Sequence, residues 1–265
     1  MNITSRDNSL LRQARAVRDG KIKDLIFVEG LRLCEEILRS SLSIEVVIFS
    51  DEIARKDKAA STIAELTKAT TRSGEVSEKL LESVSYTKTP QGVVVLAQRP
   101  DSSSSVLSSY HEGVPLLVVM HQINNPVNVG AIIRTAEGAG ASGAIATSNT
   151  SDPFSPKSLR GAMGSAFRLP IWHGPTFSEV IDWCRIHEIA IVCADASSTT
   201  PFTELDWTKP RAVILGPESQ GLTHEELSTA DHAVRIPMQG SVESLNVAVA
   251  AGVILYEAAR QRGKK

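Results

Sequence analysis

Short apolar runs alternate with segments of helical spacing along nearly the whole chain. In the front part, LIFVE (25–29), IEVVIF (44–49) and VVVLA (93–97) have the continuous apolar character of buried strands. Leu31, Cys34, Ile37 and Leu38 recur at helical spacing, residues 58–70 form a second helical pattern, and 78–83 a short third. The turn Thr89-Pro90-Gln91-Gly92 leads into the last strand. This predicts a small α/β domain over 1–98. The serine-crowded RPDSSSSVLSSYHEG (99–113) is poor in apolar residues and reads as a linker. A second domain follows over 114–265.

In that second domain PLLVVM (115–120), GAIAT (143–147), IAIVCA (189–194), AVIL (212–215) and AVRI (233–236) read as strands. Helical patterns fall between them near 128–139, 158–165, 177–187 and 223–230, and Thr223 with Glu226 matches a capping box. Strands regularly separated by helices predict a mostly parallel sheet with helices on both faces. Such sheets bind ligands outside the carboxyl ends of their strands. The loops after Met120, Leu215 and Ile236 are therefore the places to look.

The stretch IPMQGSVESLNVAVAAGVILYE (236–257) is the most unusual in the chain. After a tight polar turn at Gly240 it restarts at Ser244, then runs apolar on every side until Glu257. A helix apolar all round is expected to be buried all round. Ser244 and Asn246 stand at its start, where free backbone N–H groups and polar side chains meet. That makes a place to hold a small ligand; the plainer alternative is a core helix with a serine cap.

Composition narrows the class. Hydrophobic content of 42% and a charged fraction of 22% are ordinary for a globular protein. No apolar run reaches membrane-helix length, and the N-terminus has no secretory apolar segment. Three scattered cysteines suit neither a disulfide framework nor a metal knuckle, and Cys193 reads as a small core residue. The expectation is a reduced, cytoplasmic protein without a metal. Net charge is −2, so any nucleic-acid contact must come from local patches. The densest basic patch is Arg6, Arg12, Arg15, Arg18, Lys21 and Lys23, either a solvated helix face or a grip on phosphates.

Gly138, Gly140 and Gly143 spell the dinucleotide-binding pattern G-x-G-x-x-G, but in the wrong place. The pattern must follow a strand and open a helix. Here it closes a helix and leads into a strand, so it reads as a helix stop. In NNPVNVGAIIRTAEGAGA (124–141), Asn128 is placed to cap the following helix, while Gly130 and Arg134 share one of its faces. In GPESQGL (216–222) two glycines and a proline around Glu218 force a turn that lets backbone approach a ligand. SPKSLRGAMGSAFRLPI (155–171) adds Lys157, Arg160 and Arg168 among small residues.

Taken in order, N-P-x-N-x-G-x-x-x-R-T (125–135), L-G-x-E-x-x-G-L (215–222) and I-P-M-x-G-x-x-x-S-L-N-V (236–247) resemble the SpoU–TrmH group of the SPOUT superfamily of RNA methyltransferases. The resemblance spans 116–260. More loosely, FVEG (27–30) and TPQG (89–92) are similar to a ribosomal-protein-like substrate-binding domain of that family. It implies a parallel-sheet methyltransferase domain with a deep trefoil knot, usually dimerising through that domain. It also implies a ribose 2′-O-methyltransferase using S-adenosylmethionine. Ribosomal RNA is a more natural substrate than transfer RNA, because the extra N-terminal domain resembles the ribosomal branch. The matched functional positions are Asn128, Arg134, Glu218, Ser244 and Asn246. Leu215, Gly216, Glu218, Gly221, Ile236, Met238, Ser244, Leu245 and Asn246 would surround the cofactor. Arg12, Arg15, Arg18, Lys21, Lys23, Lys157 and Arg160 would meet RNA. Asn124-Asn125 departs from the family, where an acidic residue is common. The rivals are a tRNA 2′-O-methyltransferase, a base methyltransferase, and a non-catalytic RNA-binding or ribosome-assembly protein of the same fold.

Overall fold

A computed structural model describes residues 1–108, 113–241 and 244–263. The end of the expected linker (109–112) and positions 242–243 of the third motif lie outside the described residues.

Two compact units divide the chain, Met1–Pro100 with Phe154–Phe167, and Asp101–Pro153 with Arg168–Lys265. The first contains, in order, β1 (Asn2–Ile3), α1 (Ser9–Arg18), β2 (Leu25–Glu29), α2 (Leu31–Leu38), β3 (Ile44–Ser50), α3 (Asp51–Ala54), α4 (Asp57–Lys68), β4 (Ser73–Val76), α5 (Glu78–Glu82) and β5 (Val93–Gln98). Its sheet runs β1-β4-β3-β5-β2, parallel among the first three and antiparallel on both sides of β5. Leu11, Ala14 and Val17 of α1 pack with Phe27, Ile48 and Leu96 of the sheet in one apolar core. The strands β1 and β4 escape a reading of apolar runs, since NI and SGEV are too short and too polar to show a period.

The second unit begins with α6 (Ser105–Ser108), followed by β6 (Leu116–Met120), α7 (Pro126–Gly138) and β7 (Gly143–Ala146). The chain then supplies α8 (Pro156–Ala162) and a 3-10 turn to the first unit, where α8 lies along β2. It returns as β8 (Ile171–His173), α9 (Phe177–Ile186), β9 (Ala190–Ala194), β10 (Arg211–Leu215), α10 (His224–Ser228), β11 (His232–Val234) and α11 (Val247–Gln261). The sheet order is β11-β9-β10-β6-β7-β8, and every pairing in it is parallel. Its near-continuous apolar strands suit a sheet covered on both faces.

The fold corrects four expectations. The serine-rich stretch is not only a linker: α6 buries Leu107 in the core of the second unit, beside Gly143, where an added Cβ would lie 2.5 Å from it. Asn128 does not cap α7. Asn125 does, accepting from the Val127 N–H at 3.0 Å, because Pro126 has no N–H and its fixed φ suits the first helical position. The helix after the third motif starts at Val247 with Asn246 as its cap, not at Ser244. Nor is that helix buried all round. Ala251, Ile254, Leu255 and Ala258 are buried, whereas Val249 and Tyr256 are 52% and 56% exposed. Among the described elements α7 is its chief neighbour, and it covers one side of the helix. The glycine reading holds: α7 ends at Gly138, and Gly140 takes φ 73° beyond it.

Candidate active site

The carboxyl ends of β9, β10 and β11 open into a cavity of about 610 Å³. Its walls are the whole loop 215–222, the chain leaving β11 from Val234 to Met238, and the entry to α11 from Ser244 to Val247. All nine residues expected around a cofactor line it. Leu215, Ile236, Leu245 and Ile254 give it apolar surface, and Asp195, Ser197, Glu218, Ser244 and Asn246 give it polar groups. Local chemistry shapes the middle wall. Gly221 takes φ 65°, and a Cβ on Gly216 would lie 2.8 Å from the Leu222 side chain, so both glycines are required for the loop to fold back.

A polar cluster adjoins this cavity. Freed from capping, the buried Asn128 side chain donates its amide to the Glu218 carboxylate and accepts from Asn246 Nδ2 at 3.4 Å. The first motif thus meets the second and third, 90 and 118 residues on, at one amide. Asn246 uses the same side chain to accept from the Ala248 N–H at 3.0 Å, which fixes its carbonyl end on the helix. Arg134 is not part of this cluster. It stands exposed on α7, six residues and roughly 9 Å of helix beyond Asn128, and does not line the cavity.

Sequence reasoning passed over the loop after β9, where Asp195, Ala196 and Ser197 form another wall of the cavity. Asp195 is held there by Ser197, whose N–H and hydroxyl donate to it at 3.0 and 2.6 Å. The strand-end rule applied to β9 would have found it. Also missed was His121 at the end of β6, buried and bonded to Glu226 at 2.9 Å. Burial pushes the Glu226 carboxyl upward, but the Thr223 hydrogen bonds and His121 beside it hold it below its ordinary value.

The basic residues divide by geometry. Arg12, Lys21, Lys23, Lys157 and Arg160 are exposed in the first unit. Arg18 donates to the carbonyls of Val84 and Ser85 at 3.2 Å and pairs with Asp19, and Arg15 donates to the Arg6 carbonyl. Those two guanidinium groups tie α1 into its own unit. Arg168 forms a two-point ion pair with Glu137. Cys34, Cys184 and Cys193 are buried, and burial pushes the last two thiols up to about 12, so they act as core residues. Among the described residues no helix is long and apolar enough to cross a membrane, and no cluster of His, Cys, Asp or Glu has the makings of a metal site.

A fully parallel sheet with a ligand-sized cavity at its strand ends and a polar cluster beside it, built on the buried Asn128, defines a small-molecule-using α/β enzyme. Residues 115–256 match the model of the SpoU rRNA Methylase family, and residues 10–95 match that of the MRM3-like substrate binding domain. The chain belongs to the SpoU rRNA methylase family. It is 31% identical to an uncharacterized tRNA/rRNA methyltransferase of Synechocystis, over 98% of this chain and 94% of that one. A 23S rRNA (uridine(2479)-2′-O)-methyltransferase of Streptomyces viridochromogenes is 39% identical over 55% of this chain and 52% of its own length. The crystal structure of an AdoMet-bound rRNA methyltransferase from Sinorhizobium meliloti superposes with a TM-score of 0.84 at 29% identity. That superposition covers 98% of this chain and 97% of the other.

Proposed function

We propose that this chain methylates a ribose 2′-hydroxyl of ribosomal RNA, using S-adenosylmethionine. The observation that carries the reading is the meeting of the three family motifs at Asn128, Glu218 and Asn246, beside a cavity at the parallel strand ends. The cavity fits the cofactor. It is in the usual size range for small-ligand sites (roughly 300–1,000 Å³). Apolar walls suit an adenine, and the Asp195 and Glu218 carboxylates suit a cation. The bound cofactor supplies a methyl group already activated by its sulfonium.

What remains for the protein is alignment and charge. Asn128, itself held by Asn246, holds Glu218 at the cavity, and Ser244 lines the same cavity. Arg134 has another task. A guanidinium stays protonated, so it serves as no base. It orients the RNA phosphate and stabilises the alkoxide developing on the ribose oxygen, the proton leaving late to phosphate or water. Family membership implies the trefoil knot in the chain that forms this cavity. The first unit acts as the RNA-binding domain, and the work takes place in the cytoplasm.

Purified protein, tritiated S-adenosylmethionine and separated ribosomal and transfer RNA from cells lacking the gene test the reading. Label recovered from ribosomal RNA as a 2′-O-methyl nucleoside is the expected result. Label in a base, or in transfer RNA alone, would replace the substrate assignment. Absence of both label and cofactor binding would leave a non-catalytic RNA-binding protein.

We propose that the chain dimerises through the exposed face of α11. Val249 and Tyr256 on α11 and Val127 on α7 are large, apolar and exposed, which suits a second copy. Tyr256→Glu should therefore convert a dimer to a monomer in analytical ultracentrifugation. A wild-type monomer, or a dimer untouched by the substitution, would rule this face out as the dimer interface.

For RNA, the exposed Arg12, Lys21 and Lys23 are the members of the arm available to phosphates. Replacing all three with glutamine should flatten the dependence of log binding on log salt by about 0.7–0.9 for each phosphate released. An unchanged slope would take the arm out of the interface.

A further inference from the structure

The loop 215–222 forms the longest wall of the cavity, and both of its ends are tied to one residue outside it. Where the loop leaves β10, the His121 N–H donates to the Leu215 carbonyl at 2.9 Å, one step beyond the register that pairs Leu215 with Met120. Where the loop enters α10, the Thr223 N–H donates to Glu226 Oε2 at 2.8 Å, and the Glu226 N–H donates to Thr223 Oγ1 at 3.2 Å. The second oxygen of the same carboxylate, Oε1, lies 2.9 Å from His121 Nε2. An ionised carboxylate can only accept, so Nε2 carries the proton. His121 is itself firmly seated. Its Nδ1 lies 3.2 Å from Thr147 Oγ1, and its ring rests on Phe177 with centroids 4.7 Å apart.

We infer that His121 is a positioning residue for the cofactor: it clasps the loop 215–222 through Leu215 at one end and Glu226 at the other. The inference rests on reading this cavity as the cofactor site. A loop whose two ends are fixed on one residue, by its backbone N–H at Leu215 and its ring at Glu226, has less freedom to lose when a ligand orders it. Between those ends the loop has few internal ties, such as the Gly221 N–H to the Pro217 carbonyl at 3.0 Å. Glu218, which accepts from Asn128, lies on the loop between the two tied ends. A strand-end histidine suits the task because its ring spans from a buried backbone position to the half-buried Glu226.

Titration calorimetry with S-adenosylmethionine tests this. If the wild-type protein takes up no cofactor, the assignment of the cavity fails and the clasp with it. With wild-type binding established, His121→Phe keeps the ring on Phe177 and deletes both side-chain hydrogen bonds. His121→Phe and Glu226→Ala should each weaken the cofactor Kd about tenfold, and the double variant should be no weaker than either. Glu226→Gln keeps one acceptor oxygen of the two, so it loses either the Nε2 contact or the Thr223 N–H contact and should weaken the Kd, by no more than Glu226→Ala does. Losses that multiply in the double variant would mean that the two residues act separately. A lowered melting temperature with unchanged Kd would mean that they only stabilise the fold. Either result overturns the inference. Should His121→Phe fail to fold, Glu226→Ala on α10 decides: an unchanged Kd overturns it as well.

Discussion

Arg134→Ala should slow methyl transfer to ribosomal RNA by about 10³-fold while the Kd for S-adenosylmethionine stays within about twofold. The split follows from position. Arg134 is exposed on α7 and contributes nothing to the cavity wall, so its loss neither opens the core nor strips the cofactor site. On the proposed reading its contribution belongs to the RNA side, where charge would develop on the ribose oxygen as the methyl group moves. Arg134→Lys is the more telling variant. It keeps the charge but replaces a planar fork by a point donor, and should still lose about 10²-fold. Near-normal turnover in that variant, with RNA and cofactor affinity unchanged, would show that orientation by the guanidinium is not what the site needs.

Asn128→Asp should reduce transfer by about 10²-fold at pH 8 and weaken cofactor binding as well, in contrast to the Arg134 variants. The wild-type amide donates to Glu218. The substitution sets two carboxylates against each other in direct contact, one at the buried position 128 and one on the exposed Glu218, where both cannot easily ionise. One of the pair then titrates above the ordinary carboxylate range. The sign of the pH dependence follows: as pH falls, a shared proton restores an O–H donor between the two groups. Activity of Asn128→Asp relative to wild type should therefore rise from pH 8 to pH 6. Adding Glu218→Gln supplies a new amide donor opposite the aspartate and should recover most of the loss at pH 8. Calorimetry and the tritium assay, run as a pH series, check both statements. A ratio that stays flat with pH would mean that the Asn128–Glu218 hydrogen bond does not hold the site.

Fold and site differ in how far the sequence made them legible. Alternating apolar runs and helical spacings marked most strands and helices, because burial on a sheet or a helix face repeats every few residues. The Thr223–Glu226 capping box is local for the same reason, and it forms as read. The strand-end rule, with glycines that permit a folded-back loop, pointed to three loops, two of which wall the cavity. Even the choice of Asn125 over Asn128 as the helix cap is written locally, in Pro126, although it was read one turn too late.

The remainder was decided by interactions between residues far apart in the chain. Nothing near Asn128 announces Glu218, 90 residues on, or Asn246, 118 residues on. The strand β8 is three residues long and exists because β7 offers it an edge. Helix α8 looks like any other helix of the second half, yet it packs with the first unit, because its apolar side finds β2. The reading of α11 as buried on all sides came from composition alone, which counts apolar residues without counting the surfaces available to cover them. His121 shows the same boundary from the other side: as a lone histidine after a strand it carries no local signal. Its place as a clasp comes from a carboxylate 105 residues away, brought within 2.9 Å by the order of the strands. Periodicity, caps and turns act over a few residues and survive in the sequence, whereas a site assembled across a parallel sheet depends on which strand ends become neighbours, and that is fixed only when the chain packs.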